Sequence, residues 1–168
     1  ELIVSGEGRT QLGTLDASPA PTWSSLWRQS VPDFKWETDI LSVLLAKVAL
    51  NAVINPLTAL YGVSNGELMR PPLEAITEDV IKEVQSLLCS ADASEIASAL
   101  PTQVRAVCHS TAANHSSMRV DLENGKRTEI DAIVGWLLSN LTPHPPPTPV
   151  LSELYHAVKE RDLKVSRT

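Results

Sequence analysis

Cysteine is scarce in this chain: Cys89 and Cys108 are the 2 among 168 residues. That excludes a disulfide framework and offers no paired-ligand metal motif. Reduced thiols in an intracellular protein, and a cytoplasmic location, are the expectation. Long hydrophobic runs are missing as well. No stretch of about 18 consecutive apolar residues occurs, and the longest candidate, Ile40 to Ile54, is broken by Ser42, Lys47 and Asn51. No membrane span is expected. Positive charge is in deficit, 14 Lys and Arg against 20 Asp and Glu, for a formal net charge of −6. Nucleic acid needs clustered basic side chains, so no such partner is expected. There is no internal repeat and no Gly-x-Gly-x-x-Gly phosphate loop among these residues, and no targeting signal is expected. The sequons at Asn114 and Asn140 would matter only in a secreted protein. What is present is ordinary for a globular chain, 43% hydrophobic and 20% charged, and long enough for one domain or slightly more.

Along the chain, residues 1–15 read as strand, turn and strand, with Gly6-Glu7-Gly8 between two short apolar runs. Such a hairpin is marginal alone and wants a sheet to join; no later segment offers one by its pattern. Residues 16–35 carry Pro19, Pro21 and Pro32 and read as a linker, with room for one short helix bearing Trp23 and Trp27. From residue 36 the pattern is helical. Thr38 or Asp39 caps a helix whose apolar residues recur through Ile40, Leu41, Leu44, Leu45, Val48 and Ala52. Asn55-Pro56 should end or kink it, and Asn65-Gly66 should close the next segment. Further helices are expected at 73–88, at 95–108 as one or two, and at 117–123, the last stopped by Asn124-Gly125. Thr128-Glu129-Ile130-Asp131 looks like a capping box for a helix reaching about Ser139. The tract 143–149 is proline-rich and extended, and a last helix covers about 150–162.

On the first long helix, Lys47, Asn51 and Asn55 fall at successive four-residue steps and form one slowly drifting polar stripe. A long cation beside two amides is poor core material. The stripe is either a concave site for an anionic or carbonyl substrate or a solvated face, with Asn55 capping the helix that follows.

The run Lys47 to Leu60 with Asn65-Gly66 resembles the signature K-x3-N-x3-N-P-L-T-A-L…N-G of the ketopantoate reductases. A second block, Ser116-Ser117-Met118-x-x-Asp121 through Gly125-x-x-Thr128-Glu129-Ile130-Asp131, is similar to that family's S-S-M-x-x-D…G-x-x-T-E-I-D. The resemblance covers about residue 36 to the end. It implies an all-α C-terminal domain of the 6-phosphogluconate-dehydrogenase-like type, cut away from a nucleotide-binding domain whose last strands residues 1–15 would be. It implies an NADPH-dependent reductase of a 2-keto acid, 2-dehydropantoate, on the route to pantothenate, inactive without the missing domain. It implies Lys47 as general acid, because an ammonium both stabilises a developing alkoxide and supplies the proton. Asn51, Asn55 and Asn65 would hold the substrate's polar groups. Asn114, His115, Ser116 and Ser117 would receive its carboxylate, and Glu129 would contact the cofactor. Each position also has a plain structural reading: Ser117 as an N-cap, Glu129 as a first-turn acid, Asp121 and Thr128 as local hydrogen-bonding residues. His109 and His115 have no partner spacing that suggests a metal. Leu45 stands where the family often has Trp. A relative acting on another 2-keto acid, or a non-catalytic helical interaction domain, would show the same fold. An apolar docking surface for the missing domain, with self-association through it, is expected.

Overall fold

The computed structural model describes the backbone of residues 8–165 and the side chains of residues 8–163. The chain divides into two compact units, the first running to Leu45 and the second from Ala46.

In the first unit, strand β1 (Thr10–Leu12) and strand β2 (Phe34–Trp36) flank helix α1 (Ser24–Ser30). The strands pair in parallel, with Thr10 opposite Phe34 and Leu12 opposite Trp36. This corrects the expectation that no later segment offers β1 a partner. The 16–35 stretch is a crossover leading into β2, and the Gly6-Glu7 part of the expected hairpin turn lies outside the described residues. A three-residue strand carries too little alternation to be read from sequence. What holds the unit is aromatic: Trp23 meets the rings of Trp27 and Trp36 at centroid distances of 6.0 and 5.8 Å, and Trp27 meets Phe34 at 5.9 Å. The Trp36 indole N–H also donates to the Ser18 carbonyl at 3.1 Å. Such edge-on pairs add roughly 0.5–1.5 kcal/mol each beyond area burial. Leu15, Leu26, Leu41 and Leu44 stay exposed.

Helix α2 (Ile40–Tyr61) has 22 residues. Asp39 caps it, its Oδ1 accepting the Ser42 N–H at 3.1 Å. By length and composition α2 could cross a bilayer, yet Ala49, Val53, Ile54, Leu57 and Ala59 are buried within the protein, as in a core helix. Asn55-Pro56 does not end α2, contrary to expectation. An interior proline costs about 3 kcal/mol, whereas burying Val53, Ile54 and Leu57 gives roughly 1.5–3 kcal/mol apiece as an upper figure. Burial wins, and Asn55 is a helix residue instead of a cap. The helix stops at Gly62, whose φ of +66° suits glycine. Asn65-Gly66 therefore opens an element instead of closing one. It begins a 3₁₀ turn (Asn65–Met69) set by a capping box between Ser64 and Glu67. Gly66 is needed there, since a Cβ would lie 2.7 Å from that of Ala112.

Helices α3 (Leu73–Ser90) and α4 (Ser94–Ser110) form the main packed pair. Their facing stripes are Val80, Val84, Leu87, Leu88 and Ala97, Leu100, Val104, Cys108, all nearly inaccessible. Helix α4 contains Pro101 and remains one helix. The Ala97 carbonyl that Pro101 cannot serve instead accepts Gln85 Nε2 from α3 at 2.8 Å. Helix α5 (Ser117–Glu123) falls where expected, followed by Gly125 at φ +63°. A π-helical turn (Asp131–Gly135) then leads into α6 (Trp136–Asn140). The capping box at Thr128 does not form, because both its ends are engaged elsewhere. The Thr128 hydroxyl donates to Asp162, and Asp131 binds Tyr155 and Lys159. Residues 143–148 lack regular structure, and α7 (Pro149–Val165) starts on the last proline of the tract. Proline suits a first helical position. The carboxylate of Glu83 on α3 accepts the Val150 and Leu151 N–H groups at 3.0 and 2.7 Å, a cap from a distant helix.

Candidate functional site

The polar stripe of α2 lies within the second unit. Taking about 100° per residue from Lys47, Asn51 falls near 40°, Asn55 near 80° and Thr58 near 20°. All four occupy one face. Lys47 is exposed, Asn51 half-buried and Asn55 7% exposed. None of these three side chains makes a hydrogen bond to the described residues. Asn55 is the most buried of the three, yet its amide atoms are not among the fully buried unpartnered ones, so they stay open to water or a ligand.

Thr58, which the sequence reading quotes inside the motif without a role, joins the two sequence blocks. Its Oγ1 lies 2.7 Å from Ser116 Oγ, and 2.8 and 3.0 Å from the carbonyl oxygens of Ile54 and Asn55. A hydroxyl has one proton and a carbonyl only accepts. Thr58 therefore gives its proton to a carbonyl of its own helix and receives that of Ser116. Ser116 in turn accepts the Arg119 N–H at 3.1 Å as the N-cap of α5. The cap is thus Ser116, and Ser117 is the first helical residue with an exposed hydroxyl. The helix start leaves N–H groups directed at whatever lies before it. This pins the start of α5 to α2 one turn beyond Asn55. A spacing of seven from Asn51 and eleven from Lys47 is the signal that could have found Thr58.

Asn65 is tied into the same region. Its backbone N–H donates to the Asn114 carbonyl at 3.0 Å, and its Nδ2 to Thr111 Oγ1 at 2.9 Å. Thr111 spends its own proton on the Val107 carbonyl at 2.6 Å, which fixes the orientation of the Asn65 amide. Asn65 Oδ1 is buried without a hydrogen-bond partner among the described residues. Asn114 and His115 are exposed on the approach to α5. Thr58 therefore ties Asn55 to Ser116, and Asn65 is tied separately to Asn114, two residues before that serine. Lys47 shares the face of Asn55 but stands about 16 Å along the axis from Thr58, at 1.5 Å per residue. Glu129 shares no hydrogen bond with any of them. It is exposed, and its carboxylate has no bond to the described residues.

The electrostatics separate the remaining candidates. Burial pushes the Cys108 thiol up to about 11, which makes it an inert core residue and not a nucleophile. Among the described residues no group of three or more His, Cys, Asp or Glu could hold a metal ion. The site is thus an apolar helix face carrying one cation and several amides and hydroxyls, suited to a small polar anion.

The fold is that of a helical domain with a short strand pair at its start, and comparison with known proteins makes the class specific. Residues 39–162 match the family model for the ketopantoate reductase PanE/ApbA C terminal. The 2-dehydropantoate 2-reductase of Vibrio cholerae is 34% identical over 157 residues, covering 92% of this chain and 53% of that protein. The 2-dehydropantoate 2-reductase of Salmonella typhimurium is 37% identical over 142 residues, covering 82% of this chain and 45% of the other. The solved structure of the probable 2-dehydropantoate 2-reductase panE from Bacillus subtilis superposes with a TM-score of 0.76 at 33% identity, covering 90% of this chain and 52% of that one. The chain belongs to the ketopantoate reductase family, as its helical C-terminal domain. It spans about half the length of the curated relatives it matches.

Proposed function

We propose that this chain is the substrate-binding and proton-donating half of an NADPH-dependent 2-dehydropantoate 2-reductase, acting in pantothenate biosynthesis in the cytoplasm and inactive alone. The observation that carries the reading is the polar face of α2, where Lys47, Asn51 and Asn55 stand without partners among the described residues. The hydride for the carbonyl carbon of the keto acid would come from a reduced nicotinamide, when one is bound, with Glu129 as this chain's contact to it. The chain's own part is the rest. Lys47 gives the proton to the carbonyl oxygen, and its charge stabilises the alkoxide as it forms. Asn51, Asn55 and Asn65 orient the substrate's polar groups. Ser117, with Asn114, His115 and Ser116, receives the carboxylate at the start of α5. Glu129 contacts the cofactor. Residues 1–15 belong to the end of the nucleotide-binding domain and 36–168 to the substrate domain. The exposed Leu15, Leu26, Leu41 and Leu44 support an apolar surface for docking of the nucleotide domain or for self-association.

The test is Lys47→Ala in the full-length protein. Loss of a positioned proton donor lowers turnover by about a hundredfold or more. Lys47 is exposed and mid-helix, so alanine is tolerated by the fold. A folded Lys47→Ala protein with near-normal turnover would remove the lysine from the chemistry. The 168 residues alone, with no Gly-x-Gly-x-x-Gly loop among them, should give no turnover of 2-dehydropantoate with NADPH.

A further inference from the structure

We propose that helix α7 is the positioning element for the cofactor contact at Glu129, with Asp162 fixing one flank of that residue and the Tyr155–Lys159 pair fixing the other. The inference rests on the reading of Glu129 as the residue that meets the cofactor.

Asp162 is 3% exposed and Thr128 is 7% exposed. The two carboxylate oxygens of Asp162 accept from the same residue, Oδ1 from the Thr128 N–H at 3.2 Å and Oδ2 from the Thr128 hydroxyl at 2.9 Å. A carboxylate is costly to bury and holds its place by such bonds. Here the bonds fix the backbone and the χ1 of Thr128 together. The Thr128 Oγ1 also accepts the N–H of Ile130, which is wholly buried. Asp131 is held in turn by the Tyr155 hydroxyl at 2.8 Å, by the Lys159 ammonium and by Arg127 at 3.0 Å. Tyr155, Lys159 and Asp162 are all on α7, 24 to 34 residues away from their partners in sequence.

Glu129 sits between these two fixed flanks with its own carboxylate exposed. The bonds that order the segment therefore leave its acceptor unspent. A residue whose neighbours are both anchored has lost its backbone freedom before any ligand arrives, and the ordering cost is absent from the binding step. The Thr128 flank is buried and the Asp131 flank is partly exposed, so the first should matter more.

The experiment uses the full-length enzyme and steady-state kinetics with each substrate varied. Thr128→Val should raise the KM for the nicotinamide cofactor about fivefold, the scale of one newly freed side chain. The turnover rate and the KM for the keto acid should stay within about twofold, since neither depends on Glu129. Thr128→Ser, which keeps the hydroxyl for Asp162, should restore the wild-type value. Tyr155→Phe should shift the cofactor KM in the same direction by about twofold, in keeping with a partly exposed bond. Glu129→Ala is the control on the underlying reading. If it leaves the cofactor KM unchanged, Glu129 makes no such contact, and both the reading and the proposal fall. If Glu129→Ala raises the cofactor KM while folded Thr128→Val does not, the proposal alone is overturned. A Thr128→Val protein impaired equally for both substrates, or unimproved by serine, also overturns it, because its defect is then general. Should Thr128→Val fail to fold, Tyr155→Phe decides, and an unchanged cofactor KM there sinks the proposal.

Discussion

Along α2, Lys47, Asn51 and Asn55 carry their polar groups without a partner among the described residues, although Asn55 is 7% exposed. Around α7 the opposite holds. Glu83 caps two backbone N–H groups, Asp162 takes both donors of Thr128, and Asp131 gathers a phenol, an ammonium and a guanidinium. Both regions hold polar groups in a largely apolar domain, but one is closed and the other open. The one buried unpartnered side-chain atom among the described residues, Asn65 Oδ1, lies beside the open set, and an unmade bond there costs about 1–3 kcal/mol. A fold that leaves polar groups unbonded on one helix while bonding such groups on another leaves the first set available to a ligand. Polar groups that serve stability and those that serve binding are thus distinguishable by whether the fold satisfies them.

Removing one member of each set should break the comparison most sharply. Asp162→Ala leaves the Thr128 N–H and hydroxyl buried without acceptors, a loss of roughly 2–4 kcal/mol. Asn55→Ala removes an amide with no partner among the described residues, so its cost should stay below about 1 kcal/mol. Urea unfolding of the chain, followed by far-UV circular dichroism, measures both. Equal destabilisation by the two variants would mean that Asn55 is as much a structural residue as Asp162.

The two adjacent serines give a smaller version of the same contrast. Ser116 caps α5 and meets Thr58, so Ser116→Ala should destabilise by about 1 kcal/mol, the usual loss of an N-cap. Ser117 is exposed, and Ser117→Ala should change stability by no more than about 0.5 kcal/mol. Its effect belongs in the KM for the keto acid, which should rise in the full-length enzyme with turnover little changed. A stability loss at Ser117 equal to that at Ser116 would show that the start of α5 is read one residue out of place.

The sequence reveals the long helices because each carries a sustained apolar period, and α5 because Asn124-Gly125 marks its end, although its cap is Ser116 and not Ser117. It also reveals the stripe of Lys47, Asn51 and Asn55, since helical spacing is a local property. It hides what depends on distant partners. The short strand β2 has no alternation to detect, and its pairing with β1 is made across 24 residues. Pro56 reads as a helix breaker because burial of Leu57 is invisible along the chain, as is the Gln85 bond to Ala97 that accompanies Pro101 in α4. Thr128 reads as a cap because its true partner, Asp162, lies 34 residues on. Within the site, Thr58 escapes because a threonine on an apolar helix looks like core until Ser116 is placed against it.

The smallest expected effect separates the closed set itself, because Asp131 is closed by bonds that water can reach. Its carboxyl is held down to about 2, first by the hydrogen bond from Lys159 and then by that from Tyr155. In the unfolded chain it returns toward its ordinary value of 3.8. A carboxyl lowered in this way contributes its full stability above the unfolded value, and the contribution disappears as the pH falls through the folded one. The Asp131 side chain is 37% exposed, so screening by solvent limits the contribution to about 1 kcal/mol or less. The gap in unfolding free energy between wild type and Asp131→Asn should accordingly be level from about pH 5 to pH 8, then close between about pH 4 and pH 2. Urea titrations of both proteins at fixed pH values measure it. A gap that stays constant down to pH 2 would mean that Lys159 and Tyr155 favour the charged carboxylate no more than water does, and that the Asp131 bonds add nothing to the hold Asp162 has on the turn.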